Sequence, residues 1–307
     1  MNKIERIDAV LQGKEVDRPP FSFWYHFGLQ HTSGERHGEA QAEFFHAYDL
    51  DFLKVMNDYP YPSKLDMLQT AAEWRQLRAF AGNEEGFGEQ LRALQVIAEA
   101  LDGKAYFVET IFSPWTVARR LSDTQTLLSL KRDHPDVLLE AMRVIAHSLA
   151  NYAQHAIQAG AAGIFLSVSG ATRELMTFQE YERFCRPFDL IILDAVKDIS
   201  HFNILHIHGQ NIFFNELLNY PVQAINWSHY HTAPTFIEAR KLYKGCLLGG
   251  LDERQLSHNT VSSIYRQVKQ AVELVGNKSL IITPGCSVAT DTAAKLLHAV
   301  RHAIMEL

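Results

Sequence analysis

The chain has 307 residues, 47% of them hydrophobic, and a formal net charge of -6, with no run of five or more like charges. That is apolar matter for one large core or two modest ones, and it leaves no electrostatic footprint for nucleic acid. The cysteines Cys185, Cys246 and Cys286 are few and far apart, which argues against a disulfide framework, and no apolar stretch is long enough to span a membrane.

In chain order, an amphipathic helix over Asn2–Leu11 comes first, with Ile4, Ile7, Val10 and Leu11 on one face. It lacks the apolar core of a secretion signal, so a reducing, cytoplasmic setting is expected. Short apolar runs rich in β-branched and aromatic residues then recur at Phe21–Tyr25, Phe52–Met56, Tyr106–Thr110, Gly163–Val168, Asn203–Ile207, Ala224–Trp227, Cys246–Gly249 and Leu280–Thr283. Continuous runs of this length suit strands buried on both faces of a parallel sheet. Helical periodicity fills the gaps at Leu91–Leu101, Val137–Ile157, Thr260–Leu274 and Thr292–Met305, and Thr177 with Glu180 forms a capping box. Residues 59–90 are the least regular and are expected to form a helical or loop segment near the mouth, as a lid.

Strands alternating with helices in this way predict an α/β fold, a single (β/α)8 TIM barrel over residues 1–307. The rival is a doubly wound open sheet, which is weakened because no GxGxxG follows any strand. In a barrel the strand C-termini face the active site, so each polar residue just past a strand becomes a candidate.

His206 and His208 end the fifth predicted strand, and residues two apart on an extended chain point the same way. Cys286 follows the eighth. Two imidazoles and a thiolate make a three-ligand set that suits Zn²⁺ with an open fourth position. The competing reading makes the histidines hydrogen-bonding groups and Cys286 a small apolar filler. Asn57 and Asp58 follow the second strand. Asp58 suits proton transfer or substrate orientation, and Asn57 substrate binding; both equally suit a cap before Tyr59-Pro60. Trp24, Tyr25 and His26 end the first strand as pocket wall, with His26 as a polar anchor or catalytic group; plain barrel core is the alternative. Asn226 and Trp227 after the sixth strand are candidate substrate contacts, Trp227 as a flat wall. Ser169 offers a small polar contact. Glu109 inside the barrel would need a partner, and is a candidate extra zinc ligand. Gly249-Gly250 would let backbone approach a ligand, with Asp252 capping the next turn. Cys185 and Cys246 read as structural.

Several segments resemble the uroporphyrinogen decarboxylase superfamily across nearly the whole chain. They are Leu11-Gln12-Gly13 through Asp17-Arg18-Pro19-Pro20, Ser113 to Ala118, Ala159 to Gly163, Phe184 to Pro187, and Gly249-Gly250-Leu251-Asp252 preceded by Ala239-Arg240. The resemblance implies one of two chemistries. Decarboxylases grip a tetrapyrrole's carboxylates with arginines after the first strand. Here that stretch runs Trp24 to His31 without arginine, which speaks against uroporphyrinogen itself, although Asp58 falls near that branch's essential aspartate. The other branch moves methyl groups from a corrinoid protein to a thiol on zinc, held by His-x-Cys after strand five and Cys after strand eight. His206 and Cys286 match that pattern, and His208 stands where the branch has Cys. Imidazole also binds zinc well.

The favoured expectation is therefore a zinc-dependent methyltransferase taking its methyl group from a corrinoid-type donor on a partner protein. The alternatives are metal-independent decarboxylation of uroporphyrinogen or a related acid, and a non-catalytic ligand-binding barrel. A small-molecule substrate is expected in each case. Family members are often dimers, so the resemblance also suggests a homodimer.

Overall fold

A computed structural model describes residues 1–65 and 67–307. The helices are α1 (Lys3–Leu11), α2 (Gly34–Tyr48), α3 (Ala71–Trp74), α4 (Glu85–Leu101), α5 (Pro114–Arg120), α6 (Thr124–Asp133), α7 (Pro135–Gln158), α8 (Phe178–Phe184), α9 (Arg186–Val196), α10 (Phe236–Leu242), α11 (Val261–Val275) and α12 (Ala294–Met305). The strands are β1 (Phe52–Val55), β2 (Tyr106–Phe112), β3 (Gly163–Val168), β4 (Ile204–Ile207), β5 (Ala224–Trp227), β6 (Cys246–Leu251) and β7 (Leu280–Pro284). They pair in sequence order, each parallel to the next. Parallel neighbours need crossover connections, and α-helices supply them between successive strands except from β4 to β5, where the connection holds a 3-10 turn at Asn215–Leu217.

Both faces of the sheet are buried. Phe52, Val108, Phe165, Ile204, Ala224, Leu248 and Ile281 share an inner cluster with Trp24, Met56 and Phe202. Alternate residues such as Leu53, Val55, Ile111, Leu166, Leu205, Ile225, Leu247 and Ile282 pack with the helices in an outer cluster. This two-sided burial explains why the runs read as continuous apolar stretches instead of alternating ones.

Seven strands form the ladder among the described residues, and the expected first strand, Phe21–Tyr25, contributes only a single parallel bridge, Phe21 to Ile282. Residues 20–22 still join the sheet's two edges. Ile282 N donates to Pro20 O at 2.8 Å and Ser22 N to Ile282 O at 3.2 Å on the β7 side; Asp51 N donates to Phe21 O at 3.0 Å on the β1 side. The arrangement is that of a TIM-like barrel. Two features shorten the eighth segment. Pro19 and Pro20 bring no N–H, and Phe21 N donates to the Asp51 carboxylate, 3.0 Å away, instead of to a neighbouring strand.

That carboxylate also ties down the opening motif. Asp51 is fully buried and receives Arg6 and Arg18, each at 2.7 Å, while Arg6 also bonds Asp17. The Asp17-Arg18 segment therefore clamps α1 and the N-terminal passage to the base of β1.

The other differences from expectation concern helices. The α2 sequence has weak apolar periodicity, and its Gly34 and Gly38 explain its seat: a Cβ there would come within 2.0 Å of Glu89 O and 2.6 Å of Ala93 O on α4. The stretch 59–90 holds α3 and the first turns of α4, and Tyr59 to Leu65 roof a cavity at the mouth. Among the described residues no helix is long and apolar enough to cross a membrane.

Candidate metal centre

His206 lies on the inner face of β4, level with Ser167 on β3, and the Phe165 ring two residues earlier on that strand stacks on it at 5.3 Å between centroids. His208 follows two residues later, beyond the strand end, and Cys286 lies two residues past β7. The sequence separation of 78 closes in space: a ligand atom from each of His206, His208 and Cys286 lies within 4.8 Å of the others, and His208 Nδ1 is 3.9 Å from Cys286 Sγ. His206 is buried, Cys286 half-buried and His208 exposed, so the group rises from the barrel interior toward solvent. Burial alone would raise the Cys286 thiol, but the two imidazoles outweigh it and bring the group down to about 4.

The residue next to the thiol is fixed by sterics. A Cβ on Gly285 would sit 2.7 Å from both Glu253 Oε2 and Ser228 Cα, so only glycine lets β7 deliver Cys286 at this point.

Asn226, a candidate substrate contact, is turned toward the candidate ligand His206. Its Nδ2 donates to Leu248 O at 3.1 Å and Pro284 O at 3.0 Å, which turns Oδ1 toward His206 Nδ1 at 2.6 Å. An amide oxygen only accepts, so His206 carries its proton on Nδ1 and keeps a lone pair on Nε2. A ligating histidine anchored by its other nitrogen is the usual outer-shell arrangement of metal sites. Two imidazoles, one thiolate and this anchored tautomer fit a zinc ion.

A cavity of about 210 Å³ adjoins the three residues, lined in part by Trp24, His26, Ser167 and Ser169. Three cations line it as well, Lys54, Arg119 and Arg120, together with Thr116, whose hydroxyl lies 2.8 Å from that of Ser169. Sequence reasoning passes over the three cations, and Thr116 enters it only within the Ser113 to Ala118 segment. Lys54 carried a usable signal, because a lysine at the centre of the apolar run Phe52–Met56 must point to one of two buried faces. It points inward: its ammonium lies 4.7 Å from the Phe165 ring centre. Burial pulls it down to about 8, against the charges of Glu109, Cys286 and Asp58.

A second cavity of about 370 Å³ lies alongside, sharing Thr110, Phe112 and Arg120 with the first. Asn57 and Asp58 line it, together with Tyr59, Tyr61, Leu121 and Tyr152. Burial would raise the Asp58 carboxyl, but the His26 ring, with Nδ1 2.8 Å away, and the Lys54 charge hold it below its usual range.

Three expectations are corrected. Glu109 is buried on the outer face of β2, between Phe107 and Ile111, and is bonded by Tyr152 at 2.7 Å, Asn57 at 3.0 Å and Gln90 at 3.1 Å. Side-chain alternation along the strand takes it away from His206 and Cys286, and it is not a member of the ligand group. Trp227 fails for the same reason. It faces the helices, packs on Phe214 and Phe236, and donates to Pro234 O at 2.9 Å, so it is core and not a substrate wall. Tyr25 stacks on Phe44 and donates to Thr290 O at 2.7 Å, while its neighbour Trp24 enters the inner cluster. Cys185 and Cys246 are buried in the core as expected.

One further group, His231, Asp252 and Glu253, also converges, but local bonds account for it. His231 Nε2 meets Asp252 at 2.7 Å, Asp252 caps Arg254 N and Gln255 N as the sequence suggested, and Ser228 donates to Glu253.

The fold is shared with known structures. A methyltransferase from Methanosarcina mazei is 17% identical, with a TM-score of 0.84 over 100% of this chain and 99% of that one. A putative vitamin-B12 independent methionine synthase from Listeria monocytogenes is 15% identical, with a TM-score of 0.55 over 94% of this chain and 96% of the other. No curated protein sequence matches. The family model for uroporphyrinogen decarboxylase (URO-D) matches residues 54–307, β1 through the C-terminal helix, and the chain belongs to that family.

Proposed function

We propose that this protein transfers a methyl group from a corrinoid-type donor, presented by a partner protein, to the sulfur of a small thiol at a zinc ion held by His206, His208 and Cys286. The observation that carries the reading is the convergence of those three ligand atoms within 4.8 Å at the C-terminal ends of β4 and β7. When bound there, zinc would keep the acceptor sulfur deprotonated at neutral pH. The methyl group then moves to that sulfur's electron pair, and the electrons of the broken bond stay with the donor. The chain's own residues supply position. Asn226 fixes the His206 tautomer, Phe165 stacks against that ring, and Trp24 with Met56 forms an apolar wall that keeps water from part of the cavity. His208 and Cys286 stand at the solvent side, where a separate donor protein has access.

The cavity size supports a small acceptor. About 210 Å³ lies below the ~300–1,000 Å³ usual for drug-sized ligands, and a tetrapyrrole is larger still. The second reading, metal-independent decarboxylation, is favoured by one observation: Asp58 stays ionised beside His26 and lines the adjoining cavity.

Methylcobalamin as a free donor, offered with a panel of small thiols to zinc-loaded protein, tests the proposal. Thiol methylation that disappears in Cys286→Ala supports it. No methylation on any thiol, together with turnover of pyrrole acids by metal-free protein that is lost in Asp58→Ala, overturns it in favour of the second reading.

A further inference from the structure

The chain is acidic overall, with a formal net charge of -6, yet the cavity beside His206, His208 and Cys286 is lined by Lys54, Arg119 and Arg120 and by no Asp or Glu. Among the described residues, no carboxylate lies within ion-pair distance of any of the three cations. Arg120 instead lies over the Phe112 ring at 3.7 Å.

Lys54 is the most informative of them. It is 4% exposed, and among the described residues its one hydrogen bond runs to a thioether, Met56 Sδ, at 3.3 Å. An ammonium has three donors and a thioether is a weak acceptor, so most of its hydrogen-bonding capacity is unmet in a place that water barely reaches. Burying a charge in this way is costly unless something pairs with it. The outer-face carboxylate of Glu109 is already engaged by Tyr152, Asn57 and Gln90, and Cys286 and Asp58, whose charges also reach Lys54, make no hydrogen bond to it. What remains open to the ammonium is the cavity.

We propose that Lys54 is an anion anchor, and that the molecule bound in this cavity is a compact acid whose carboxylate or similar anionic group pairs with it, with Arg119 and Arg120 drawing it in from the mouth. Thr116 and Ser169, bonded to each other at 2.8 Å, offer neutral contacts along the same wall. A fixed cation facing a cavity of about 210 Å³ selects a short acid over its alcohol or amine. In the proposed methyl transfer that acid is the accepting thiol, and this assignment rests on that reading; the anchor itself needs no metal.

The test compares butyrate, 1-butanol and butylammonium as ligands of the metal-free full chain, followed by NMR. The same comparison is then made with 3-mercaptopropionate and 3-mercapto-1-propanol on zinc-loaded protein. A charge-assisted bond predicts a preference for the acid of at least about tenfold. Lys54→Met should remove that preference, since it replaces the cation with an apolar side chain of similar length. Equal binding of acid, alcohol and amine by the unaltered chain overturns the proposal without recourse to any variant, as does a preference that survives in Lys54→Met. Acid preference in a protein that takes up no zinc keeps the anchor and removes the methyl-transfer reading; zinc uptake without acid preference removes the anchor alone.

Discussion

Replacing Asn226 by alanine isolates the link between the barrel wall and the proposed metal centre. The side chain is fully buried and bridges three elements: His206 on β4 at 2.6 Å, Leu248 O on β6 at 3.1 Å and Pro284 O on β7 at 3.0 Å. Alanine removes the acceptor that holds the proton on His206 Nδ1, so the ring is free to change tautomer and to turn. Loss of such an outer-shell partner typically costs 10–100-fold in metal affinity, about 1.4–2.7 kcal/mol. The two carbonyls left unpaired add about 1–3 kcal/mol of lost folding stability. Chelator competition measures the first effect and denaturant unfolding the second. Asn226→Asp separates them, because it keeps an acceptor for Nδ1 while turning its second oxygen on the carbonyls of Leu248 and Pro284. Zinc affinity should recover in it and stability should not. An Asn226→Ala protein that folds cooperatively and binds zinc within about twofold of the unaltered chain refutes the reasoning.

Gly285→Ala should weaken zinc binding and lower the unfolding midpoint together, since the new Cβ collides with Glu253 Oε2 and Ser228 Cα next to Cys286; metal titration and thermal unfolding check it. Trp227→Ala should cost about 3–5 kcal/mol of stability from its buried outer-face site while leaving zinc stoichiometry intact in the folded protein. Burial pushes the Glu109 carboxyl up to about 7. The folded state therefore holds a proton that the unfolded chain releases near its ordinary value of about 4.3, so this group's contribution to stability falls as pH rises from there to about 7. Glu109→Gln should flatten that decline in a series of denaturant melts.

The sequence made the strands legible because both sheet faces are buried, and seven of the eight expected runs form ladder strands. The missing one was obscured by Asp51, a residue distant in sequence whose carboxylate takes up the Phe21 amide. His206, His208 and Cys286 could be named from their positions at strand ends, since every strand C-terminus in such a sheet meets at one mouth. Which face a strand residue occupies was harder to read. With apolar residues on both sides, alternation gives no inside or outside, and so Glu109 reads as barrel interior and Trp227 as a binding wall although both face helices. The role of Asn226 depends on carbonyls of β6 and β7 that only the folded sheet brings together. Lys54 left a visible mark, a charge within a strand buried on both faces, but its meaning depends on the folded arrangement, in which no acid among the described residues pairs with it.

The central claim is that His206, His208 and Cys286 bind one zinc ion together. X-ray absorption at the zinc edge, on protein given one equivalent of the metal, tests it most directly. The account predicts nitrogen neighbours at about 2.0–2.1 Å and a sulfur at about 2.3 Å, with the sulfur lost in Cys286→Ala. A zinc shell without sulfur, or a folded protein that leaves the metal in solution, would contradict it.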